Sequence, residues 1–214
     1  MKKPSQISSA VIKRLPRYRR FLRDLLREGV DRVSSSRLSE ITGYTASQIR
    51  QDFNNFGGFG QQGYGYNVED LYDGITAILG LDTERHMVIV GAGNLGRALA
   101  GFPWGKRDNF MVDGIFDNSP GVIGSKVGEY TVGSLPDLKK YLEVNNPDVG
   151  VIATNGHGAQ EACDILVEGG VKGIWDFAPV DLELPDSIPL QYVHLNDSLH
   201  ELTYRITETE HGHP

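Results

Sequence analysis

The first quarter of the chain alternates apolar and polar residues with the period of an α-helix. Between positions 15 and 26 the apolar residues recur every three or four positions, which predicts an amphipathic helix with Pro16 in its first turn. A shorter helix follows and ends at Gly43. Thr45 is the expected N-cap of a third helix, residues 46–55. Two short helices joined around a glycine predict a helix-turn-helix unit.

The third helix carries polar side chains that suit the major groove of DNA. Ile49 and Phe53 are four residues apart and are expected to face the core. Arginine, glutamine and asparagine side chains form paired hydrogen bonds with the edges of bases. The predicted DNA contacts of this helix are therefore Ser47, Gln48, Arg50, Gln51 and Asn54.

Glycines and aromatic residues are interleaved over residues 56–66, as expected of a tight hairpin. We interpret this segment as the wing of a winged helix, and we add Gln61 and Gln62 to the predicted DNA contacts. A flexible linker between domains is the alternative, which the aromatic residues oppose.

A glycine-rich turn lies between a predicted strand and a predicted helix. The strand covers residues 86–90 and the helix begins at residue 97. A GxGxxG turn in this setting indicates a dinucleotide site: the first glycine makes the turn, the second lets the pyrophosphate approach, and the third lets helix and strand pack closely. Its residues are the predicted cofactor loop, namely Gly91, Ala92, Gly93, Asn94, Leu95 and Gly96.

Asp117 ends the next predicted strand, residues 110–116. A carboxylate at this place accepts hydrogen bonds from both ribose hydroxyls and repels a 2′-phosphate, so NAD(H) is the predicted cofactor rather than NADP(H). The loop that contains Thr154 leaves the carboxyl end of a later strand, where such sheets bind ligands, and Thr154 joins the predicted site. A doubly wound domain without a nucleotide is the alternative.

The predicted elements divide into two domains of an α/β protein. Residues 1–80 form an N-terminal winged helix-turn-helix domain with a connecting helix capped by Asn67. Residues 81–214 form a Rossmann-like domain, a doubly wound parallel sheet followed by a C-terminal helix. Asn196 is the expected N-cap of that last helix, which packs on its own domain or on a partner subunit.

Charge is segregated along the chain in the same way. The whole chain has a net charge of −7, but residues 1–66 hold twelve basic and five acidic residues and carry +7. The remaining residues carry −14. A polyanion such as DNA is therefore expected to bind the first domain, and Arg14 and Arg17 of the first helix are added to the predicted contacts. A merely solvated helix face is the alternative.

Several classes of protein are not expected from this sequence. No apolar run approaches the ~20 residues that span a bilayer, and no signal region follows the basic N-terminus, so a cytoplasmic protein is expected. Cys163 is the single cysteine, and the histidines show no metal-ligand spacing. A Tyr-x-x-x-Lys proton relay is absent and the sheet uses the second domain entirely, so neither enzymatic activity nor a bound metal is predicted.

The chain resembles the Rex family of redox-sensing transcriptional repressors. The similarity covers about residues 15–210 and rests on the segments 13–22, 32–36, 49–53, 56–57, 63–68, 91–96 and 171–179. The resemblance implies a homodimer that exchanges its C-terminal helices. It also implies binding to an AT-rich inverted repeat while NAD⁺ prevails and release when NADH binds.

Roles also follow from the resemblance. It places Arg50 on DNA and Arg20 in the switch between domains. Three positions depart from the family. This chain has Phe102 where the family commonly has a tyrosine near the nicotinamide, and His194 where it has an aspartate of the switch. It also has Asp176 where the family commonly has an asparagine. The cofactor site implied by the resemblance also takes in Asp176 and Phe177. Family members often carry basic residues where this chain has Gln51, Gln61 and Gln62.

Two other functions stay open at this point. One is a DNA-binding protein whose nucleotide domain is vestigial or occupied differently. The other is a small NAD-dependent oxidoreductase with a basic arm that holds RNA or an acidic partner. Calorimetry with the nucleotides distinguishes the first, and turnover of NADH distinguishes the second.

Overall fold

The computed structural model describes residues 7–56, 60–61 and 64–212, with the backbone alone at residues 60, 61, 106 and 107. The chain divides into two compact units, residues 1–83 and residues 84–214. We call them unit 1 and unit 2.

Unit 1 combines helices with a small antiparallel sheet. Its helices are α1 (Ser9–Arg27), α2 (Ser35–Thr42), α3 (Ala46–Asn54) and α4 (Val68–Ile78). Its strands are β1 (Arg32–Val33), β2 (Gly60–Gln61) and β3 (Gly65–Asn67), in the order β1-β3-β2. These helices share one core, which includes the fully buried side chains of Leu15, Leu22, Leu38, Ile49 and Leu71.

The turn between α2 and α3 confirms the predicted helix-turn-helix. Gly43 ends α2 in the left-handed conformation, with φ of 74°. The Thr45 side chain accepts a hydrogen bond from the Gln48 N–H at 3.2 Å and caps α3. The two helices are therefore joined by a capped turn of a few residues.

The first helix begins earlier than the sequence predicts. The Ser8 side chain accepts a hydrogen bond from the Val11 N–H, and α1 starts at Ser9. Pro16 consequently lies inside α1, so its predicted place in the first turn is wrong. Burial of Val11, which is 6% exposed, explains why the helix extends in front of the proline despite the backbone hydrogen bond that Pro16 lacks.

The described part of the predicted wing contains two paired strands. Strand β2 pairs antiparallel with β3, with Gly60 opposite Tyr66. Gly65 has φ of 72°, and a Cβ there would lie 2.8 Å from the Val33 carbonyl oxygen, so this position requires glycine. The pairing confirms a hairpin rather than a linker for these strands. Gln62 lies outside the described residues, as does the side chain of Gln61.

Unit 2 is built on a parallel sheet. Its strands lie in the order β8 (Gly133–Ser134), β5 (Phe110–Asp117), β4 (Arg85–Val90), β9 (Val149–Ile152), β10 (Gly173–Asp176) and β11 (Leu190–Tyr192). Strands β6 (Lys126–Val127) and β7 (Tyr130–Thr131) form a separate antiparallel pair. The six-stranded order is that of two joined mononucleotide-binding halves. The predicted Rossmann-like fold is confirmed.

Helices cover both faces of this sheet. The helices of unit 2 are α5 (Asn94–Ala100), α6 (Gly105–Asp108), α7 (Leu135–Val144), α8 (Gly156–Glu168) and α9 (Leu195–Glu210). Side chains of α7 and α8 fill the core on one face, and the other face has a second core that includes Ala100 of α5. Cys163 is fully buried on α8, and burial raises the pKa of its thiol to about 11.

The C-terminal helix α9 buries none of its side chains in the described chain. Its apolar residues are 47% to 65% exposed, namely Leu195, Leu199, Leu202, Tyr204 and Ile206. The helix begins after His194, so the predicted N-cap role of Asn196 is wrong, and Asn196 lies in the first turn. Within the described residues, no helix is long and apolar enough to cross a membrane.

Candidate functional site

The glycine-rich loop of unit 2 connects β4 to α5, and its glycines differ in the space that the fold leaves for a side chain. Gly91 has φ of 108°, and a Cβ there would lie 2.5 Å from the Ala153 carbonyl oxygen. A Cβ on Gly96 would overlap the Gly91 carbonyl. A Cβ on Gly93 meets no atom of the described residues within 4 Å. Packing within the chain therefore requires the first and third glycines, whereas Gly93 faces open space that a ligand can approach.

Asp117 lies at the end of β5 and is tied to this loop. Its Oδ2 accepts a hydrogen bond from the Ala92 N–H at 2.6 Å, and its Oδ1 accepts one from the Ser119 N–H at 2.7 Å. Each carboxylate oxygen has a second lone pair. The partly exposed carboxylate thus keeps acceptor capacity for two hydroxyl groups beside the glycine-rich loop. The predicted helix start at residue 97 is wrong, because α5 begins at Asn94. Asn94 and Leu95 of the predicted loop therefore lie in the first turn of this helix.

Arg97 holds the same loop and is a residue that the sequence reasoning missed. Its Nε donates to the Ala92 carbonyl oxygen at 2.8 Å, and its Nη2 donates to the Ser125 Oγ at 3.0 Å. The sequence placed Arg97 at the start of a helix, but its partners lie 5 and 28 residues away. Only the fold brings them together.

Thr154 and Asp176 lie at the same edge of the sheet. Strands β9 and β10 pair in parallel, with Ile152 opposite Asp176, and the chain reaches Thr154 two residues later. Asp176 is fully buried, and its Oδ1 accepts a hydrogen bond from the Ala178 N–H at 2.9 Å. Among the described residues, nothing donates to the Asp176 Oδ2 or pairs with the buried Thr154 Oγ1. Burial raises the pKa of Asp176, against lowering by backbone hydrogen bonds and by His194.

Aromatic side chains form a row near the same edge. Phe102 is 39% exposed, and its ring centroid lies 4.3 Å from that of Trp104. Trp104 contacts Trp175 edge-to-face at 5.5 Å, and Trp175 lies 4.6 Å from Phe177. The row offers flat apolar surface for a ring. The two tryptophans were missed, although Trp175 directly precedes the predicted Asp176 and Phe177.

The predicted switch residues lie in different units. Arg20 is exposed on α1 of unit 1, with its guanidinium 5.5 Å from the Phe21 ring centroid. His194 precedes α9 in unit 2 and stacks on Tyr192, with centroids 5.5 Å apart. Their role stays a prediction.

Most predicted DNA contacts of unit 1 are available at its surface. Arg50 of α3 is exposed, and its Nη1 donates to the Ser35 Oγ of α2 at 2.9 Å. Arg17 is exposed, with its guanidinium 5.3 Å from the Tyr44 ring centroid. The Gln48 side chain is half-buried. The remaining predicted contacts of α3 are exposed, namely Ser47, Gln51 and Asn54.

Arg14 differs from Arg17 and Arg50 because its guanidinium points into unit 1. Its Nε and Nη2 donate to the two carboxylate oxygens of Asp52 at 2.7 and 2.6 Å. The Tyr18 hydroxyl donates to the same carboxylate at 2.8 Å, and Asp52 is 2% exposed. Burial raises the pKa of Tyr18, and the bond to Asp52 raises the pKa of Arg14. Arg14 therefore holds α3 against α1, a role that the sequence reasoning did not foresee.

Two family models match the chain. Residues 6–54 match a family described as "Putative DNA-binding protein N-terminus", and residues 82–180 match one described as "CoA binding domain". The chain is similar to the redox-sensing transcriptional repressor Rex of Thermoanaerobacter pseudethanolicus, with 49% identity over 98% of the chain and 94% of that protein. It is similar to Rex of Clostridium perfringens, with 48% identity over 98% of the chain and 99% of that protein.

Solved structures resemble the chain over nearly its whole length. A crystal structure of RSP in complex with β-NAD⁺ and operator DNA superposes with a TM-score of 0.89, at 49% identity, covering 95% of this chain and 94% of that one. RSP in complex with β-NADH gives a TM-score of 0.87 at 46% identity, covering 96% of each chain. RSP is described as a Rex-family repressor.

Proposed function

Since the chain belongs to the Rex family of redox-sensing transcriptional repressors, we propose that unit 1 binds operator DNA and unit 2 binds NAD(H). NADH then releases the operator. We further assign the predicted domains, 1–80 and 81–214, to these two activities. The observation that carries the proposal is the Asp117 carboxylate, held 2.6 Å from the Ala92 N–H beside the open side of Gly93.

The residues of unit 2 fit a dinucleotide. Gly93 leaves room for the pyrophosphate, Asp117 has free acceptor capacity for ribose hydroxyls, and the aromatic row offers a surface for a ring. The Thr154 Oγ1 and the Asp176 Oδ2, which have no hydrogen-bond partner in the described part of the chain, add polar groups beneath this edge. When bound, the dinucleotide supplies the redox signal, because its nicotinamide ring is charged in NAD⁺ and neutral in NADH.

The Asp117 carboxylate also makes the proposed site selective for NAD(H) over related nucleotides. NADP(H) and coenzyme A each carry a phosphate on the ribose, and that phosphate would approach the Asp117 carboxylate. Two like charges about 4 Å apart repel by about 1 kcal/mol even in water, and by more near a protein surface. We expect NADH to bind at least about fivefold more tightly than NADPH or coenzyme A.

Unit 1 supplies the positive charge that attracts DNA and the side chains that recognise the base sequence. Most of the basic residues of the chain lie in residues 1–66, so DNA affinity is mainly electrostatic and falls with salt. The exposed face of α3 enters the major groove, with Arg50 and its neighbours at base edges or phosphates. Arg17 meets phosphates from α1, and the wing, which contains Gln61 and Gln62, lies against the adjacent backbone.

We propose that the protein acts as a homodimer on an AT-rich inverted repeat. The exposed apolar face of α9 supports this arrangement, since a helix with such a face is stabilised when a partner covers it. In the proposed dimer each α9 packs on the other subunit. A two-fold dimer matches an inverted repeat, because each half-site then meets one unit 1.

The binding of nucleotide and the binding of DNA are coupled when the two ligands favour different arrangements of the dimer. We place Arg20 and His194 in the element that both ligands affect, with Phe102 beside the nicotinamide. A neutral imidazole only accepts a hydrogen bond from Arg20, and a protonated one repels it. The coupling through His194 is therefore weaker than that through a carboxylate.

We also propose that the protein has no enzymatic activity and works in the cytoplasm. No Tyr-x-x-x-Lys relay occurs in the sequence, and the residues of unit 2 are used by the sheet and its helices. The Asp176 Oδ2 is buried, which hinders proton exchange with a ligand. Incubation of the protein with NADH and candidate oxidants, followed by absorbance, tests this point.

The central experiment is operator binding measured by fluorescence anisotropy at fixed salt. A labelled inverted repeat is titrated with protein alone and then with saturating NADH, NAD⁺, NADPH or coenzyme A. We expect NADH to weaken DNA binding about 5–150-fold, the usual range of such couplings, and NADPH and coenzyme A to have little effect. An operator affinity that no nucleotide changes would contradict redox sensing. It would favour a DNA-binding protein with an unresponsive nucleotide unit, a possibility that the departure at His194 raises.

A further inference from the structure

The side chain of Arg97 bridges two segments that border the proposed nucleotide site. On one side its Nε donates to the Ala92 carbonyl oxygen of the glycine-rich loop at 2.8 Å. On the other side it donates to the Ser125 Oγ at 3.0 Å and to the Lys126 carbonyl oxygen at 3.4 Å. Arg97 thereby fixes the direction of one carbonyl in a loop that has glycine on both sides of Ala92.

The direction of that carbonyl sets the direction of the next N–H. The C=O of Ala92 and the N–H of Gly93 belong to one planar trans peptide unit, in which they point in opposite directions. The Ala92 N–H is separately held by Asp117 at 2.6 Å. With the carbonyl turned toward Arg97, the Gly93 N–H points away from Arg97. Gly93 itself borders open space, because a Cβ built on it lies more than 4 Å from every atom that the described part of the chain places around it.

We propose that Arg97 is a positioning residue that keeps the Ala92–Gly93 peptide in the orientation that receives the pyrophosphate. This inference rests on the proposed binding of NAD(H). Glycine at position 93 permits both signs of φ, so without Arg97 the peptide is free to rotate. The rotated peptide presents a carbonyl oxygen, a partial negative charge, where the pyrophosphate must lie. Arg97 acts through the backbone and needs no contact with the ligand.

The test compares ligands with and without a pyrophosphate. Arg97→Met keeps much of the aliphatic stem and removes the donors, and Arg97→Lys restores one donor. NADH and ADP-ribose are titrated by calorimetry and adenosine by NMR. In Arg97→Met we expect NADH and ADP-ribose to bind about tenfold more weakly. The variant loses the hydrogen bond from a charged guanidinium to the Ala92 carbonyl, and such bonds are stronger than those between neutral groups. Adenosine, which lacks the pyrophosphate, should keep its affinity, and Arg97→Lys should recover part of the loss.

The matched control is Arg85→Met, at the amino end of β4, whereas the glycine-rich loop follows the carboxyl end of this strand. Arg85 pairs with Asp148 at 3.0 Å, and Lys172 lies 2.7 Å from the same carboxylate, so we expect Asp148 to stay paired when Arg85 is replaced. This variant should bind NADH as the parent does. Ser125→Ala provides a milder change, which removes one anchor of Arg97 and should weaken NADH binding less than Arg97→Met does.

The outcomes separate this inference from the proposed function. A parent protein that binds neither NADH nor ADP-ribose overturns the proposed function itself. A parent that binds NADH while Arg97→Met binds it equally well overturns the role of Arg97. Equal losses of adenosine and ADP-ribose would also overturn it, because a general collapse of the site lowers both. If Arg97→Met does not fold, unchanged NADH affinity in both Ser125→Ala and Arg97→Lys overturns the role of Arg97 in the same way.

Discussion

Replacing Asp52 by alanine should strongly destabilise unit 1. Asp52 is 2% exposed, accepts two hydrogen bonds from Arg14 and accepts a third from the fully buried Tyr18 hydroxyl. Removing one partner of a buried ion pair costs about 3–5 kcal/mol, because the other charge is left uncompensated. The Arg14 side chain is 16% exposed, so water reaches part of it. We therefore expect a loss near the lower end of this range, about 3 kcal/mol.

The chain offers both a matched control and an internal reference. Asp24 also pairs with an arginine of α1, but its side chain is 50% exposed and lies 3.8 Å from Arg27. Asp24→Ala should cost less than about 1 kcal/mol. Tyr18→Phe, which leaves the ion pair intact, should cost about 1 kcal/mol. The only two tryptophans, Trp104 and Trp175, belong to unit 2, so their fluorescence reports that unit alone.

Urea unfolding of the full chain measures these effects. Far-UV circular dichroism follows the helices of both units, and tryptophan fluorescence follows unit 2. Asp52→Ala should shift the circular dichroism transition to lower urea and leave the fluorescence transition in place. Similar losses in Asp52→Ala and Asp24→Ala would refute the reasoning, since burial would then not determine the strength of the pair.

Four further predictions concern DNA, assembly, coupling and pH. Arg50→Ala should weaken specific operator binding by about 1–3 kcal/mol if the side chain reads a base, and an unchanged affinity in a gel-shift assay would contradict the placement of α3. Leu202→Glu places a charge on the apolar face of α9 and should dissociate the dimer, as light scattering would show; a dimer of unchanged mass would mean that another surface holds it. His194→Asp should enlarge the ratio of operator affinities without and with NADH, and an equal ratio would place the switch elsewhere. The Asp113 carboxylate, 2.7 Å from His86, raises the pKa of that imidazole. The pair therefore stabilises unit 2 below about pH 6.5 and loses this effect as pH rises through the raised pKa, so His86→Asn should flatten the pH profile of thermal stability.

The parts of the site that the sequence predicted depend on neighbours in the chain. The strand, the glycine-rich turn and the helix around Gly93 follow from the period of the apolar residues and from the space that each glycine leaves. Asp117 follows from its place at the end of the next strand. Such features are visible in sequence because the backbone alone brings their atoms together.

Helix ends were less predictable, because capping depends on residues beyond the periodic stripe. The stripe begins near Leu15, but α1 starts earlier because Ser8 caps it and Val11 is buried. At α9 the helix begins directly after His194, without a side-chain cap, so the asparagine two residues later has no capping role. In both cases the apolar pattern identified the buried or apolar face correctly and left the first residue undetermined.

The role of Arg14 shows where charge patterns alone mislead and which signal corrects them. Every arginine of α1 looks alike in sequence, and the net charge of residues 1–66 favours DNA for all of them. Asp52, however, is three residues after Ile49 and adjacent to Phe53, and both of these residues lie on the face of α3 that packs into the core of unit 1. An acid on the buried face of a helix requires a buried donor, since an unpaired charge in a core costs far more than the fold can offset. That requirement assigns one arginine of a neighbouring helix to the interior. Arg14 meets it at 2.6 Å, and the arginines that remain exposed on α1 are the ones left to meet phosphates.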